Sequence, residues 1–147
     1  MGAVQQILLG TGLLSLSVLV HVGAVAFSIP YLPKLARLID AAFAPRLRVA
    51  LLLVFGIFVI VSAHTAQVWI WSVAFFWMAE LPDLATSFYF ATVTYTTLGY
   101  GDIVLGPDTR IVATFCAITG LLTFGISTAF LIGVLSRVLP DVLEDNK

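Results

Sequence analysis

The sequence predicts an all-α membrane protein with three transmembrane helices and a re-entrant helix and loop between the second and the third. Hydrophobic residues make up 61% of its 147 residues and charged residues only 10%, against roughly 25% charged residues in an average soluble domain. The uncharged residues are gathered into three runs long enough to cross a bilayer, and the charged residues lie between and beyond these runs.

The first span is predicted over residues 1–30. Ile7 to Ile29 are 23 residues without a charge, about 34 Å as a helix and enough to cross the hydrocarbon core. Pro30 and Pro33 are expected to end it. No Lys or Arg precedes Lys34, so the run lacks the basic start of a secretory signal peptide and is interpreted as a retained span.

Residues 31–48 are predicted to form an amphipathic segment in the membrane interface. Apolar residues recur there at helical spacing, namely Leu32, Leu35, Ala36, Ile39 and Phe43. They alternate with Lys34, Arg37 and Asp40, and the two basic side chains suit anionic lipid. A plain connecting loop is the alternative.

The second span is predicted from Val49 to Ala79, 31 residues without a charge and about 46 Å long as a helix, so it must tilt or protrude. Glu80, Pro82 and Asp83 mark its exit. Three tryptophans in its last part are expected to form an aromatic belt at one interface, namely Trp69, Trp71 and Trp77.

Residues 84–95 form a helix of about 18 Å, which reaches only halfway through the core. The segment 96–102 follows, and we predict a re-entrant helix and loop, which the membrane tolerates only where protein or water satisfies the irregular backbone. The third span is predicted over residues 110–139, with 26 uncharged residues between Arg110 and Arg137 and with Pro140 at its end. A short tail, residues 140–147, remains.

The basic side chains predict the orientation. They lie in residues 31–48 and near the end of the chain, at Lys34, Arg37, Arg46, Arg48, Arg137 and Lys147. Because cytoplasmic loops are rich in Lys and Arg, these segments are placed in the cytoplasm. The N-terminus and residues 80–110 then lie outside, and the plasma (inner) membrane is the expected location.

The loop between the re-entrant helix and the third span reads Thr96-Thr97-Leu98-Gly99-Tyr100-Gly101-Asp102. Glycines at alternate positions adopt the positive φ that turns successive carbonyls toward one axis. Rings of such carbonyls from several chains replace the water around a cation such as K⁺. The candidate ligands are Thr97, Leu98, Gly99, Tyr100 and Gly101. The side chains of Leu98 and Tyr100 are expected to point away from the axis, toward Tyr89, Phe90 and Tyr95.

Thr96 to Asp102 resemble the signature of potassium channels, and the resemblance covers Val49 to Leu139, about 60% of the chain. Residues 49–79, 84–95, 96–102 and 110–139 are similar to the outer helix, pore helix, selectivity filter and inner helix of simple prokaryotic potassium channels. The resemblance implies a homotetramer around one K⁺-conducting pore. Residues 1–30 are then an extra N-terminal helix.

The resemblance also implies roles around the filter. Asp102 matches the acidic residue at the outer mouth, and Tyr89 occupies the position of an aromatic hydrogen-bond donor, so a contact between them is expected, with Thr96 as further support. Leu98 stands where the family usually has a stiffer β-branched residue, which predicts a modest change in selectivity or in filter stability. Val93 replaces a glutamate that some members bury, which removes one route to pH-sensitive filter gating.

In the third span, residues 120–125 are similar to the inner-helix hinge of these channels, which assigns Gly120 and Gly125 as the hinge. The pore-lining or gate candidates are spaced by four, at Phe124, Thr128 and Ile132. The alternative is that the glycines only allow close helix packing. The first span lacks regularly spaced basic residues, so it is not a voltage sensor that relies on gating charges.

Two histidines fall within spans, where an ionisable residue is a functional hypothesis. Counted from the predicted cytoplasmic ends, His21 lies about 12 Å deep and His64 about 22 Å deep, which argues against a shared haem. We expect each to be neutral and hydrogen-bonded between helices, with His64 and Gln67 on one face. A pH-sensing role for His64 is the alternative. Cys116, the single cysteine, is expected to pack in the interior.

Four carboxylates on the predicted outer side would ring the mouth and concentrate cations, unless they cap helices or pair with Arg110. They are Glu80, Asp83, Asp102 and Asp108; capping is favoured for Asp83 and a mouth role for Asp102. No catalytic triad, phosphate loop or Cys/His cluster is seen, so we expect no enzyme, no nucleic acid, no small-molecule substrate and no cofactor besides transported K⁺. A weakly selective cation channel and a non-conducting accessory subunit are the alternatives.

Overall fold

The structure is a computed structural model that describes residues 1–40, 45–78 and 81–144, without the side chains of residues 40, 45, 46 and 137–144. Phe43, Glu80 and Lys147 lie outside the described residues, as do the side chains of Asp40, Arg46 and Arg137. The helices are α1 (Ala3–Ser28), α2 (Leu32–Asp40), α3 (Pro45–Trp77), α4 (Leu84–Tyr95) and α5 (Arg110–Glu144).

Across the described residues the fold is all-α, as predicted, and three helical runs are long and apolar enough to cross a membrane: Ala3–Ile39, Leu47–Trp77 and Arg110–Ser136. The prediction of three apolar helices long enough to span a membrane is therefore confirmed. Between the second and third runs, α4 has 12 residues and remains too short to span.

α1 ends at Ser28, next to Pro30 as predicted, but the backbone stays helical through Pro30 and Pro33, so the expectation that these prolines stop the helical run was wrong. One tighter 3₁₀ turn, Ile29–Tyr31, joins α1 to α2. Pro30 lies in the first turn of the 3₁₀ segment and Pro33 in the first turn of α2, where a backbone N–H lacks a helical partner in any case. The loop alternative for residues 32–40 is also wrong, because they form a helix.

Pro140 does not end the last helix either, since α5 continues to Glu144. A proline removes one backbone donor, and the loss of one hydrogen bond need not end a helix of 35 residues. Residues 140–144 belong to the helix, so the prediction that they form part of a tail beyond it was wrong. The last three residues of the predicted tail, 145–147, lie outside the described residues.

The interior lies where α4 is packed between α3 and α5, and α1 covers α3 and α5 of its own chain. The buried cluster consists of Val68, Trp71, Phe75, Phe90, Ala91, Tyr95, Leu105, Val112 and Cys116. Cys116 is buried as expected, and its thiol donates to the Ala91 carbonyl at 3.8 Å. Trp71 was wrongly expected in an aromatic belt: it is fully buried against Phe75, because the two share the face of α3 that meets α4.

Candidate functional site

The start of α4 is fixed by a side-chain cap. Asp83 Oδ1 accepts a hydrogen bond from the Thr86 backbone N–H at 2.7 Å, and Oδ2 accepts one from the Thr86 hydroxyl at 3.1 Å. These bonds favour the ionised carboxylate and lower the pKa of Asp83. The structure thus gives Asp83 the capping role that sequence analysis favoured over a place in a carboxylate ring.

The loop after α4 has an alternating backbone. Thr97, Gly99 and Gly101 have φ values of 60°, 54° and 77°, so every second residue is left-handed. The left-handed backbone at the two glycines was predicted from the sequence, whereas that at Thr97 was not, because a β-branched residue in this region is strained. The signal in the sequence was its spacing, because Thr97 lies two residues before Gly99 and four before Gly101. This alternation is what allows successive carbonyls to face one side.

The first part of the loop is tied to the end of α4. The Val93 carbonyl accepts hydrogen bonds from the backbone N–H of Leu98 at 3.0 Å and of Gly99 at 3.3 Å. The Thr96 hydroxyl donates to the carbonyls of Thr92 at 2.8 Å and Val93 at 3.3 Å. The position of the loop is therefore set by the last turn of the short helix.

The outer end of the loop is held by Tyr89, whose hydroxyl donates to Asp102 Oδ2 at 2.6 Å. This is the contact that the resemblance led us to expect. Asp102 Oδ1 also accepts from the Ile103 backbone N–H at 3.1 Å. A strong charge-assisted hydrogen bond thus links the short helix to the residue that follows the loop.

The side chains of Leu98 and Tyr100 are 54% and 67% exposed in the single chain. Phe90 and Tyr95, two of the rings against which they were expected to pack, belong to the interior cluster of the same chain. The expected packing concerns the protein around the assembled pore, so it stays a prediction.

The beginning of α1 clamps the segment before α5, a contact that sequence analysis missed. The N-terminal amine of Met1 pairs with Asp108 at 2.7 Å and lowers the pKa of that carboxyl. Gln6 Nε2 donates to the Pro107 carbonyl at 3.0 Å, while Gln6 Oε1 accepts from the Ile111 N–H at 3.1 Å. Gln6 thus caps the start of α5 from a neighbouring helix. No pattern along the chain could have revealed this pair of contacts.

The two glycines of α5 differ in their surroundings. A Cβ at Gly120 would overlap the Tyr95 carbonyl oxygen, so Gly120 is where α5 crosses the end of α4 at close range. Close packing, the alternative reading, accounts for Gly120. Gly125 has open space around it, and α5 is helical through both positions.

The three pore-lining candidates of α5 differ in what they contact within the chain. Thr128 is exposed and Ile132 is 62% exposed, on a face of α5 that none of the other described helices covers. Phe124 lies at the edge of that face, with its ring centroid 4.6 Å from that of His64 and 6.0 Å from that of Tyr95. Its ring also borders an apolar groove of about 330 Å³ that His64 and Thr96 line as well.

The two histidines meet, so the prediction that they lie at different depths was wrong. Their ring centroids are 4.8 Å apart, and the Nε2 atoms of His21 and His64 are 3.1 Å and 3.0 Å from Ser127 Oγ. Helical structure extends to Asp40 and begins again at Pro45. Measured from these ends each histidine is 19 residues away. The predicted ends, residues 29 and 49, had placed His21 8 residues and His64 15 residues from the end of its helix. Ser127 Oγ is within hydrogen-bond distance of both Nε2 atoms, which are the atoms that a shared haem iron would need as ligands.

Comparison with known proteins gives the class of the chain. A family model described as "Ion channel" matches residues 47–137, which include α4, the 96–102 loop and most of α3 and α5. The chain belongs to this ion-channel family, and the matched residues are those that the resemblance assigned to a pore domain.

One relative is the potassium voltage-gated channel protein shk-1 of Caenorhabditis elegans. It is 36% identical over 55 residues, which are 37% of this chain. The match covers only 10% of the length of that protein. No solved structure matches the chain at a significant level.

Proposed function

We propose that the chain is the subunit of a homotetrameric channel that conducts K⁺ selectively down its electrochemical gradient. The observation that carries the proposal is the left-handed backbone at Thr97, Gly99 and Gly101, at the end of a helix too short to span, in a chain of the ion-channel family. Carbonyls of Thr97 to Gly101 from four chains would replace the hydration shell of K⁺.

Assembly is supported by what one chain leaves uncovered. Leu98 and Tyr100 are exposed, and so is an apolar face of α5 that includes Leu121 and Ile132. Contiguous apolar surface of this kind marks contact with protein or lipid. Around a fourfold axis, neighbouring copies would cover the side chains of the filter and let the exposed face of α5 line the pore.

The remaining residues would support the filter, bend the inner helix or line the pore. Tyr89 and Thr96 would hold the filter through their hydrogen bonds to Asp102 and to the end of α4. Gly125, with open space around it, is the candidate hinge, and Gly120 is a packing point. Thr128 and Ile132 would line the pore, and Phe124 would border it near the filter. A ring of carboxylates at the mouth that includes Asp102 stays a prediction, and Glu80, another candidate, lies outside the described residues.

The membrane orientation follows from charge. Basic residues lie in residues 31–48 and near the end of the chain, which favours a cytoplasmic place for both and an outer N-terminus in the plasma membrane. Met1 beside Asp108 is consistent with this, because it puts the N-terminus and the filter loop on one side. Lys34 and Arg37 would meet anionic lipid.

Reconstituted flux with K⁺ and then Na⁺ gradients tests the proposal. Gly99→Ala places a side chain at a φ of 54°, a conformation that costs about 1–2 kcal/mol per residue, and should abolish K⁺-selective flux. Gly23→Ala is the matched control, because Gly23 lies in α1 with open space around it.

Two results would replace the proposal with an alternative. Equal K⁺ and Na⁺ flux would indicate a weakly selective cation channel, with the flexible Leu98 as the first residue to examine. No flux from a folded tetramer at any gradient would favour a non-conducting accessory subunit.

A further inference from the structure

A polar cluster lies inside the helical bundle and joins α1, α3, α4 and α5. Its members are Ser17, His21, His64, Gln67, Tyr95, Thr123 and Ser127. All but His64 are buried, and His64 borders the groove that Thr96 also lines. Proton positions within such a cluster can be assigned from the few atoms that act only as donors or only as acceptors.

The assignment begins at the Ser17 carbonyl, which can only accept. It lies 2.7 Å from the side-chain amide of Gln67, so the amide atom that faces it is Nε2. Oε1 of Gln67 is thereby turned toward Tyr95 and Thr123, and it too can only accept. The single hydroxyl proton of Tyr95 is therefore donated to Gln67 Oε1.

The tautomer of His64 follows. Its Nδ1 is 2.7 Å from Tyr95 Oη, whose proton is already used, so this contact is a hydrogen bond only if Nδ1 carries a proton. In neutral His64, Nε2 is then an acceptor, and it receives the proton of Ser127 Oγ at 3.0 Å. Ser127 Oγ in turn accepts from His21 Nε2 at 3.1 Å, which makes His21 the Nε2–H tautomer.

Ser127 has a second acceptor within reach, the Thr123 carbonyl at 2.9 Å. If its hydroxyl turns to that carbonyl, Ser127 Oγ can accept from Nε2 of His64 as well. A His64 imidazolium would then have both N–H groups bonded, to Tyr95 Oη and to Ser127 Oγ. His21 cannot do the same, because its buried Nδ1 has no hydrogen-bond partner among the described residues and an added proton there would be an unpaired donor.

We propose that His64 is a proton-binding site within the membrane, that Ser127 switches its hydroxyl from His64 to the Thr123 carbonyl when the site fills, and that the charged site reduces K⁺ conduction. The last part rests on the proposed function. Thr96 lines the same groove as His64, so four positive charges would lie near the inner end of the filter and oppose an entering cation.

The groups around His64 allow this charge. The titratable side chains that face it are His21 from α1 and Tyr95 from α4, both neutral in the assignment. From α5, Cys116 turns its thiol to the Ala91 carbonyl rather than to His64, and Phe124 places its ring 4.6 Å from the imidazole. An aromatic ring at this distance attracts a cation. Within α3, the neighbouring Gln67 does not titrate.

¹⁵N NMR of histidine-labelled protein in lipid bilayers, from about pH 8 to about pH 4, tests the site without reference to conduction. His64 should show the Nδ1–H tautomer at high pH and two N–H groups at low pH, while His21 stays in the Nε2–H form as His64 titrates. An Nε2–H tautomer for neutral His64, or protonation of His21 before His64, would overturn the proposal. Single-histidine variants assign the two signals.

The switch is tested by Ser127→Ala. In this variant the imidazolium form of His64 would lose a charge-assisted hydrogen bond, whereas the neutral form would lose an ordinary one. The charge-assisted bond is about twice as strong. The titration midpoint of His64 should therefore move about half a unit to one unit toward lower pH. Ser136→Ala is the matched control on the same helix, since the Ser136 hydroxyl bonds the Gly133 carbonyl. An unchanged midpoint in Ser127→Ala would refute the switch.

Flux against pH tests the effect on conduction. Wild-type K⁺ flux should fall as the pH is lowered through the midpoint measured by NMR. His64→Asn, which keeps an N–H near the position of Nδ1 but does not titrate, should remove this fall, and His21→Gln should retain it. Flux that is independent of pH in the wild type, or that loses its pH dependence in His21→Gln alone, would contradict the proposal. Because NMR reports the site separately, failure of the channel function would remain distinguishable.

Discussion

Replacing Tyr95 by phenylalanine removes the hydroxyl that holds the end of α4 against its neighbours. That hydroxyl contacts His64 Nδ1 at 2.7 Å, Thr123 Oγ1 at 2.8 Å and Gln67 Oε1. Thr123 has one hydroxyl proton, which it can donate either to the Thr119 carbonyl at 2.9 Å or to Gln67 Oε1 at 3.2 Å. The substitution therefore leaves the donor His64 Nδ1 without a partner, and Gln67 Oε1 is left with at most the longer bond from Thr123.

The magnitude follows from these losses. An unsatisfied buried donor costs about 1–3 kcal/mol, although hydrogen bonds between membrane helices average only about 0.6 kcal/mol because the unfolded state in the membrane also finds partners. We expect Tyr95→Phe to lower the free energy of unfolding by about 2 kcal/mol per chain.

Unfolding by SDS in mixed micelles, followed by tryptophan fluorescence, measures the change. Tyr31→Phe is the matched control, because it removes a hydroxyl from an exposed ring and should leave the midpoint unchanged. If Tyr95→Phe were as stable as Tyr31→Phe, the cluster would not contribute to holding α4, and its hydrogen bonds would have no measurable net value.

Three further changes have expected outcomes. Gly120→Ala presses a methyl group into the end of α4 and should destabilise the chain by about 1–3 kcal/mol in the same SDS assay; wild-type stability would contradict the close crossing. Tyr89→Phe removes the bond to Asp102 and should speed the decline of K⁺ flux during sustained conduction, whereas an unchanged time course would remove Tyr89 from filter support. Hydrogen bonds lower the pKa of Asp83 below its usual 3.8. The stability that the ionised Asp83 contributes is therefore present above that pH and is lost as the pH falls through the lowered pKa. Asp83→Ala should abolish this acid-dependent step in thermal unfolding.

Features with local signals could be predicted from the sequence. The short helix was expected over residues 84–95, and α4 spans Leu84–Tyr95. Its cap at Asp83 and the glycine-containing segment after it act within a few residues, so the chain itself carries the information. The three spans were predictable for a similar reason, because length and composition decide them.

Features that depend on how helices are offset could not be predicted. The depth of His21 and His64 was counted from the wrong helix ends, and an error of several residues at each end separated two rings that are in contact. The bonds of Gln6 to the segment before α5 join residues about 100 positions apart. Trp71 was assigned to an interface by residue type, although its face of α3 meets α4. In each case tertiary packing decides.

Anomalous diffraction from Rb⁺ in crystals of the assembled protein locates bound ions directly. We predict peaks on a fourfold axis, level with the carbonyls of Thr97 to Gly101, which persist when Na⁺ is added in excess because the site prefers the larger ion. A folded tetramer without ions at that level, or peaks that Na⁺ displaces at equal concentration, would contradict a potassium-selective filter in this chain.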